Sequence, residues 1–375
     1  MIQYWNYLRE YKIEKKKILN SVNRVFKSGT LLLGNELKSF EKKYCKFNKS
    51  KFGLGVANGT DALYIALKCL KIGKNDEVIT VSNTAIPTVA AIINTGAKVK
   101  FADIRKDFLI DADKIVSLIN KKTKAIIPVH LFGQMCEMDK IIKIAKKYKL
   151  KVVEDCAQAT GATYKGKKAG TIGDVGCHSF YPTKILGAYG DGGFLTTNNK
   201  KLFQKMHRFR FYGIDTLGIN KKWKNKYYSI DQGINSRLNE VQSSILNLKI
   251  NKISKSIKRR REIAKKYFDG LKNTSIELPL INNDNFHVFH IFEVAHPKRD
   301  LIIKKMKSRK ISLSIHYQYP IHTMNGYKNL NNKKNVLKET EKKSKIIFSL
   351  PIYPSIKNKE IDIIIKNLKD IILKI

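Results

Sequence analysis

Lys184 stands alone between Pro182 and the glycine-rich run Gly187-Ala188-Tyr189-Gly190-Asp191-Gly192-Gly193, while other lysines cluster, as at Lys15–Lys17 and Lys121–Lys122. A lysine held in a pocket loses its proton and becomes an amine nucleophile toward a carbonyl. Pro182 and the glycines set the backbone and let a ligand approach closely, although a plain strand-to-strand loop would read the same way. Asp155, 29 residues earlier, ends the run Val152-Val153-Glu154-Asp155. A carboxylate at the tip of a buried strand needs a cationic partner, and a protonated ring nitrogen would serve. Capping of the following segment is the alternative. Further back, Ala57-Asn58-Gly59-Thr60-Asp61 leads into a helical pattern. Gly59 allows close approach, Thr60 is expected to cap the helix, and the first free amides form an anion site suited to a phosphate. An ordinary N-cap explains the same residues. Taken together, a phosphate site, an acid for a ring nitrogen and a Schiff-base lysine are what pyridoxal phosphate requires. Its ring withdraws electrons effectively only while the nitrogen stays protonated.

The elements that must hold these residues alternate. A helix is expected over Asp61–Leu70, strands over Glu77–Val81, Lys98–Ala102 and Lys124–Val129, a helix over Met138–Tyr148 and a strand over Lys151–Glu154. Val175–Phe180 and Gly193–Thr197 flank the glycine-rich segment as further strands. Such alternation predicts an α/β fold with a mostly parallel sheet, whose ligands sit at the carboxyl ends of the strands. The pattern changes near Leu238–Phe268, one long helix or two. A large α/β domain is expected over residues 1–250 and a smaller α+β domain over 251–375.

Lys and Arg total 73 against 31 Asp and Glu, a net charge of +42. A nucleic-acid reading requires a concentrated patch or motif. These charges are spread along the chain and are mostly lysine; the densest run, Lys258–Arg261, reads as a solvated helix face. The positive field would instead attract an anionic small molecule. With 43 % hydrophobic residues, the chain is expected to fold. Five scattered cysteines form neither a disulfide framework nor a metal-ligand spacing, so no metal is expected. No apolar run reaches membrane-spanning length, and the first residues lack a signal pattern. A cytoplasmic location without membrane attachment is expected.

From end to end, the chain resembles the DegT/StrS family of pyridoxal-phosphate-dependent sugar aminotransferases, which have the type I (aspartate aminotransferase-like) fold. The resemblance rests on Ser28–Tyr44, ANGTDAL, PVHLFGQ (Pro128–Gln134), Val153–Ala162, SFYPTKILGAYGDGG, Arg210–Gly213, GINSRLNEVQ (Gly233–Gln242) and LPIYP. It implies that Lys184 forms the Schiff-base link, Asp155 pairs with the pyridine nitrogen and Gln158 contacts the ring hydroxyl. Gly59, Thr60 and Ser179 would hold the phosphate. Asn235 would reach the phosphate of the neighbouring subunit's cofactor, making a homodimer with shared active sites. Arg237 would meet an anionic substrate group; without the family, Asn235 and Arg237 read as a helix cap and a solvated charge. Tyr181, His316, Tyr317 and His322 fall where the family binds sugar, and a Tyr/His-rich core turn explains the last three equally well. Many members stack an aromatic residue on the cofactor ring; here Ala85 stands at that position. Members of the dehydratase branch carry histidine in place of the lysine, so Lys184 argues against that branch.

The implied reaction takes the amino group of L-glutamate, through the pyridoxamine phosphate form, to a nucleotide-linked ketosugar. The PTK…GAYGDGG form resembles members acting on carbon three of a dTDP-3-oxo-6-deoxyhexose, giving a dTDP-3-amino-3,6-dideoxyhexose. The alternatives are a carbon-four ketone of a UDP-sugar, a cyclitol ketone, and a basic nucleic-acid-binding or regulatory protein on the same scaffold.

Overall fold

The computed structural model describes residues 1–223, 226–330 and 337–375. Its first half runs α1 (Tyr7–Lys27), α2 (Asn35–Asn48), β1 (Phe52–Val56), α3 (Gly59–Cys69), β2 (Glu77–Val81), α4 (Ile86–Asn94), β3 (Lys98–Ala102), α5 (Ala112–Ile115), β4 (Thr123–Ile126), α6 (Met138–Lys147) and β5 (Lys151–Asp155). There follow β6 (Thr163–Tyr164), β7 (Lys167–Lys168), β8 (Val175–Ser179), β9 (Gly193–Thr197), α7 (Lys200–Phe209), α8 (Glu240–Ile250) and α9 (Ile253–Leu271). The chain ends with β10 (Asn285–Phe286), β11 (Phe292–Ala295), α10 (Arg299–Ser308), α11 (Lys338–Ile346), β12 (Ile347–Leu350) and α12 (Asn358–Ile372).

The central sheet has seven strands in the order β1-β9-β8-β5-β4-β2-β3. Only β9 runs against its neighbours; the pairings from β8 across to β3 are parallel. A parallel sheet covered on both faces needs strands apolar on both sides. Val152 and Val153 accordingly point into opposite apolar layers, the first with Phe40 and Phe180, the second with Ile65 and Val78. A third core gathers Tyr267, Phe292, Ile302, Phe348 and Ile364 around α9, α10, α12 and the two-stranded β11–β12 sheet. The amino terminus joins this part: Ile2 bridges to Ile311, and Arg9 Nη1 pairs with Glu360 at 2.6 Å. β10 instead pairs with β6.

Two local readings change and a third, left between one helix and two, is narrowed. The strand expected over Lys124–Val129 ends at Ile126, because Pro128 has no N–H for the ladder; its carbonyl accepts from Asp155 N–H. The helical stretch after Leu238 is two helices, α8 and α9. The basic run Lys258–Arg261 is not wholly solvated: Arg260 is 4 % exposed, and its Nη1 donates to the carbonyls of Phe289, His290 and Ile352. Among the described residues, no helix is long and apolar enough to cross a membrane.

Candidate active site

Three carboxyl-end features of the sheet converge. The Asp155↔Cys177 register places the end of β5 beside β8, which runs on to Ser179. The start of α3 meets that same end: a Cβ on Gly59 would lie 2.9 Å from Ser179 Cβ, so only glycine fits. Gly193, opening β9, sits so close that its Cβ would come within 2.2 Å of the Asn58 carbonyl. The cap of α3 is Asn58, whose side chain accepts from Asp61 N–H at 2.8 Å. This corrects the expectation that Thr60 caps the helix: Thr60 lies inside the first turn, leaving its hydroxyl uncommitted to capping.

The two adjacent acids of β5 separate by function because a strand turns alternate side chains to opposite faces. Glu154 is fully enclosed: His130 Nε2 lies 2.9 Å from it, and the N–H groups of Gly170, Ile172 and Gly173 donate to it at 2.7–2.9 Å. Burial opposes its charge, but His130 and these amides hold its carboxyl below the usual value. Asp155 accepts from Thr88 Oγ1 at 2.8 Å and Ala157 N–H at 3.1 Å. Burial pushes its carboxyl above the ordinary carboxylate range, against the pull of Thr88, Ala157 and the Lys184 charge. A buried carboxylate so placed would be stabilised by a cation.

Lys184 follows β8 in a turn where its N–H donates to the Tyr181 carbonyl at 2.8 Å. Its side chain is half-buried by residue exposure, but its amine lies deep enough that burial pushes it down to about 8, with Asp155 pulling the other way. Gln158 Oε1 accepts from Phe132 N–H at 2.8 Å, and Nε2 donates to Tyr317 Oη at 2.9 Å. His316 Nδ1 lies 3.0 Å from Ser349 Oγ; burial and the Lys184 charge depress it to about 4. Lys184, Asp155, Gln158, His316 and Tyr317 therefore form one neighbourhood.

Other expected residues stand apart. Among the described residues, no hydrogen bond or ion pair involving a side chain links Tyr181, Asn235, Arg237 or His322 to Lys184 or Asp155; the Lys184 N–H reaches only the Tyr181 backbone carbonyl. Tyr181 is 53 % exposed. Asn235 is exposed and bridges to Phe211, whose ring carries the Arg237 guanidinium at 5.2 Å. His322 departs from a sugar-side role: it is buried, with Nδ1 2.7 Å from Ser82 Oγ and Nε2 3.1 Å from Glu341 Oε1. It pins a loop. Sequence reasoning missed Thr88, which no local pattern marks, and His290, which burial and the charges of Lys184, Arg260 and His316 keep neutral. His130, Glu154 and Cys156 lie close enough for a metal. However, His130 Nδ1 accepts from Cys136 N–H at 3.2 Å, which leaves Nε2 to donate to Glu154 and neither nitrogen free as a ligand.

These residues fit pyridoxal phosphate. Lys184 supplies an amine that loses its proton far more readily than an ordinary lysine, Asp155 a carboxylate lacking a full counter-charge, and Gly59 with Ser179 a cradle that a Cβ would fill.

The sequence profile of the DegT/DnrJ/EryC1/StrS aminotransferase family matches residues 12–369. The chain is 42 % identical over 374 residues, 98 % of both chains, to a dTDP-3-amino-3,4,6-trideoxy-alpha-D-glucose transaminase of Micromonospora megalomicea subsp. nigra. It is 37 % identical, over 96 % of each chain, to a pleiotropic regulatory protein of Geobacillus stearothermophilus. The crystal structure of S. venezuelae DesV in complex with a ketimine intermediate superposes with a TM-score of 0.93, at 32 % identity and 98 % coverage of both chains.

Proposed function

Because the chain belongs to the DegT/DnrJ/EryC1/StrS aminotransferase family, whose cofactor is pyridoxal 5'-phosphate, we propose that it transfers the amino group of L-glutamate to a dTDP-3-oxo-6-deoxyhexose. The observation that carries this reading is Lys184, a lysine of depressed basicity within electrostatic reach of a buried, incompletely paired carboxylate, Asp155.

When bound, the cofactor supplies an electron sink that stabilises negative charge at the carbon losing its proton. The residues of the chain do the rest. Lys184 Nζ would hold the cofactor and, as a free amine once the substrate amine has displaced it, would take and return the proton between carbons; a pKa near 8 suits one group to both tasks. Asp155, steadied by Thr88 and Ala157, keeps a ring nitrogen protonated. Gly59, Thr60 and Ser179 receive the phosphate where free amides of α3 point outward. Gln158, tied to Tyr317, would contact the ring hydroxyl. Tyr181, His316 and Tyr317 border the sugar, and the wider positive charge draws in the nucleotide.

The carbon-three ketone on dTDP is favoured by the Micromonospora relative, which is named for a 3-amino dTDP-sugar. Exposed Asn235 and exposed apolar Phe26, Leu31 and Leu32 support a homodimer in which Asn235 and Arg237 serve the neighbouring site. Five free cysteines agree with a cytoplasmic location. The test is glutamate-dependent turnover against a panel of dTDP- and UDP-ketosugars, with the product amine located by NMR. Amination at carbon three of the dTDP substrate is expected; turnover confined to carbon four or to UDP-sugars contradicts the substrate assignment. A regulatory protein on this scaffold would turn over none of them.

A further inference from the structure

A cavity of about 750 Å³ opens between α9 and the β6–β7 ribbon, and none of the residues placed around Lys184 lines it. Lys258, Arg261 and Lys265 follow one another at spacings of three and four on α9, so they share one face, and Lys168 of β7 lines the same cavity. Two of these cations are held in place. The Arg261 guanidinium lies 4.2 Å over the Phe286 ring and donates to the His287 carbonyl at 2.8 Å. Lys168 Nζ lies 4.8 Å over the Phe47 ring and donates to the Gly161 carbonyl at 3.3 Å.

Among the described residues, none of the four cations has a carboxylate within ion-pair distance. The acid in the groove, Glu262, pairs with Arg259 at 3.5 Å. A uniformly basic surface does not explain this, because adjacent lysines are paired: Lys165 with Asp139 and Asp284, Lys266 with Asp362. Burial lowers both Lys168 and Arg261, as expected of cations held without a counter-charge.

We propose that this groove is a second ligand site, which binds a nucleoside diphosphate with its phosphates on Lys168, Lys258, Arg261 and Lys265 and its base against Phe47 and Phe286. Two adjacent phosphates answer a cluster of unpaired cations better than one carboxylate does. The aromatic walls suit a planar base, and the volume is that of a small-molecule site. The site stands independently of the aminotransferase reading.

The test is calorimetric titration of the cofactor-loaded full-length protein with dTDP at low salt. Lys258→Ala/Arg261→Ala should remove one class of binding or weaken it about tenfold or more. Phe286→Ala, an exposed change that spares folding, should weaken the same class. Inorganic pyrophosphate should bind this class more weakly than dTDP. Isotherms unchanged in both variants overturn the site, and equal binding of pyrophosphate overturns the nucleoside assignment. The glutamate-driven spectral change is recorded alongside. If it is absent while the variant-sensitive dTDP class persists, the groove stands and the aminotransferase reading falls.

Discussion

The hydroxyl of Thr88, in the first turn of α4, donates a 2.8 Å hydrogen bond to the carboxylate of Asp155 at the end of β5. It joins two crossover units at the carboxylate proposed to pair with the ring nitrogen, and Thr84 Oγ1, 3.1 Å from Thr88 Oγ1, continues the chain of hydroxyls. Burial has already raised the Asp155 pKa, and the Thr88 hydrogen bond opposes that rise. Thr88→Val should therefore raise it further. The carboxylate would then be lost at a higher pH as acid is added, and the acid limb of the glutamate half-reaction would shift upward. At neutral pH the rate should fall roughly fivefold, the worth of about 1 kcal/mol. Thr88→Ser should restore the profile. An acid limb that stays put in Thr88→Val refutes this role.

For Lys184 the sign runs the other way. Burial lowers the amine to about 8, so the neutral, nucleophilic form grows as pH rises through that value. Capture of added cofactor by the apoprotein should accelerate with pH and level off above about 8. A rate that keeps climbing toward the ordinary lysine range would show that the pocket does not depress the amine.

The Glu154–His130 contact is structural. Its geometry, with three backbone amides on one buried carboxylate, leaves no room for a neutral replacement that satisfies every donor. Glu154→Ala should destabilise the fold by about 3–5 kcal/mol in urea denaturation. Because the folded pKa of Glu154 is lowered, its contribution is present above the unfolded carboxylate pKa and lost as pH falls through the folded value. The difference between wild type and variant should accordingly shrink in acid. A difference independent of pH contradicts it.

His322 and Tyr317 should separate cleanly. His322→Ala loses contacts to Ser82 and Glu341 and should lower stability by about 1–3 kcal/mol while leaving the glutamate half-reaction near wild type. Tyr317→Phe removes the acceptor of Gln158 Nε2 and should weaken cofactor retention with little loss of stability. Thermal melts and cofactor release on dilution measure both.

Binding of the nucleotide-sugar should weaken as salt rises, since a chain of net charge +42 attracts it partly through a screened field. KM for the sugar measured across ionic strength tests this, and a flat dependence rules the field out.

Much of this was legible in the chain because the strands carrying Asp155 and Ser179 are short apolar runs with turn residues at their ends. Lys184 stands out in the sequence by its isolation beside glycines, and the structure supplies the burial that gives that isolation meaning. The cap of α3 is ambiguous in the sequence because Asn58, Thr60 and Asp61 all have capping side chains, and backbone geometry selects Asn58. Thr88 and His290 were illegible for a different reason. Each acts across elements distant in sequence, as Thr88 does on Asp155 67 residues away, and neither lies in a local pattern. Arg260 lies concealed within a basic run whose other members keep part of their surface in solvent, and packing against the carbonyls of Phe289 and Ile352 distinguishes it.

The most direct measurement mixes the cofactor-loaded protein with L-glutamate alone and follows the cofactor's visible band together with 2-oxoglutarate release. The expected result is loss of the band with one 2-oxoglutarate released per active site, slowed about a thousandfold or more in Lys184→Ala. A band that persists with no 2-oxoglutarate formed, or a Lys184→Ala protein that reacts like wild type, would contradict the assignment of Lys184 as the proton-transferring amine of an aminotransferase.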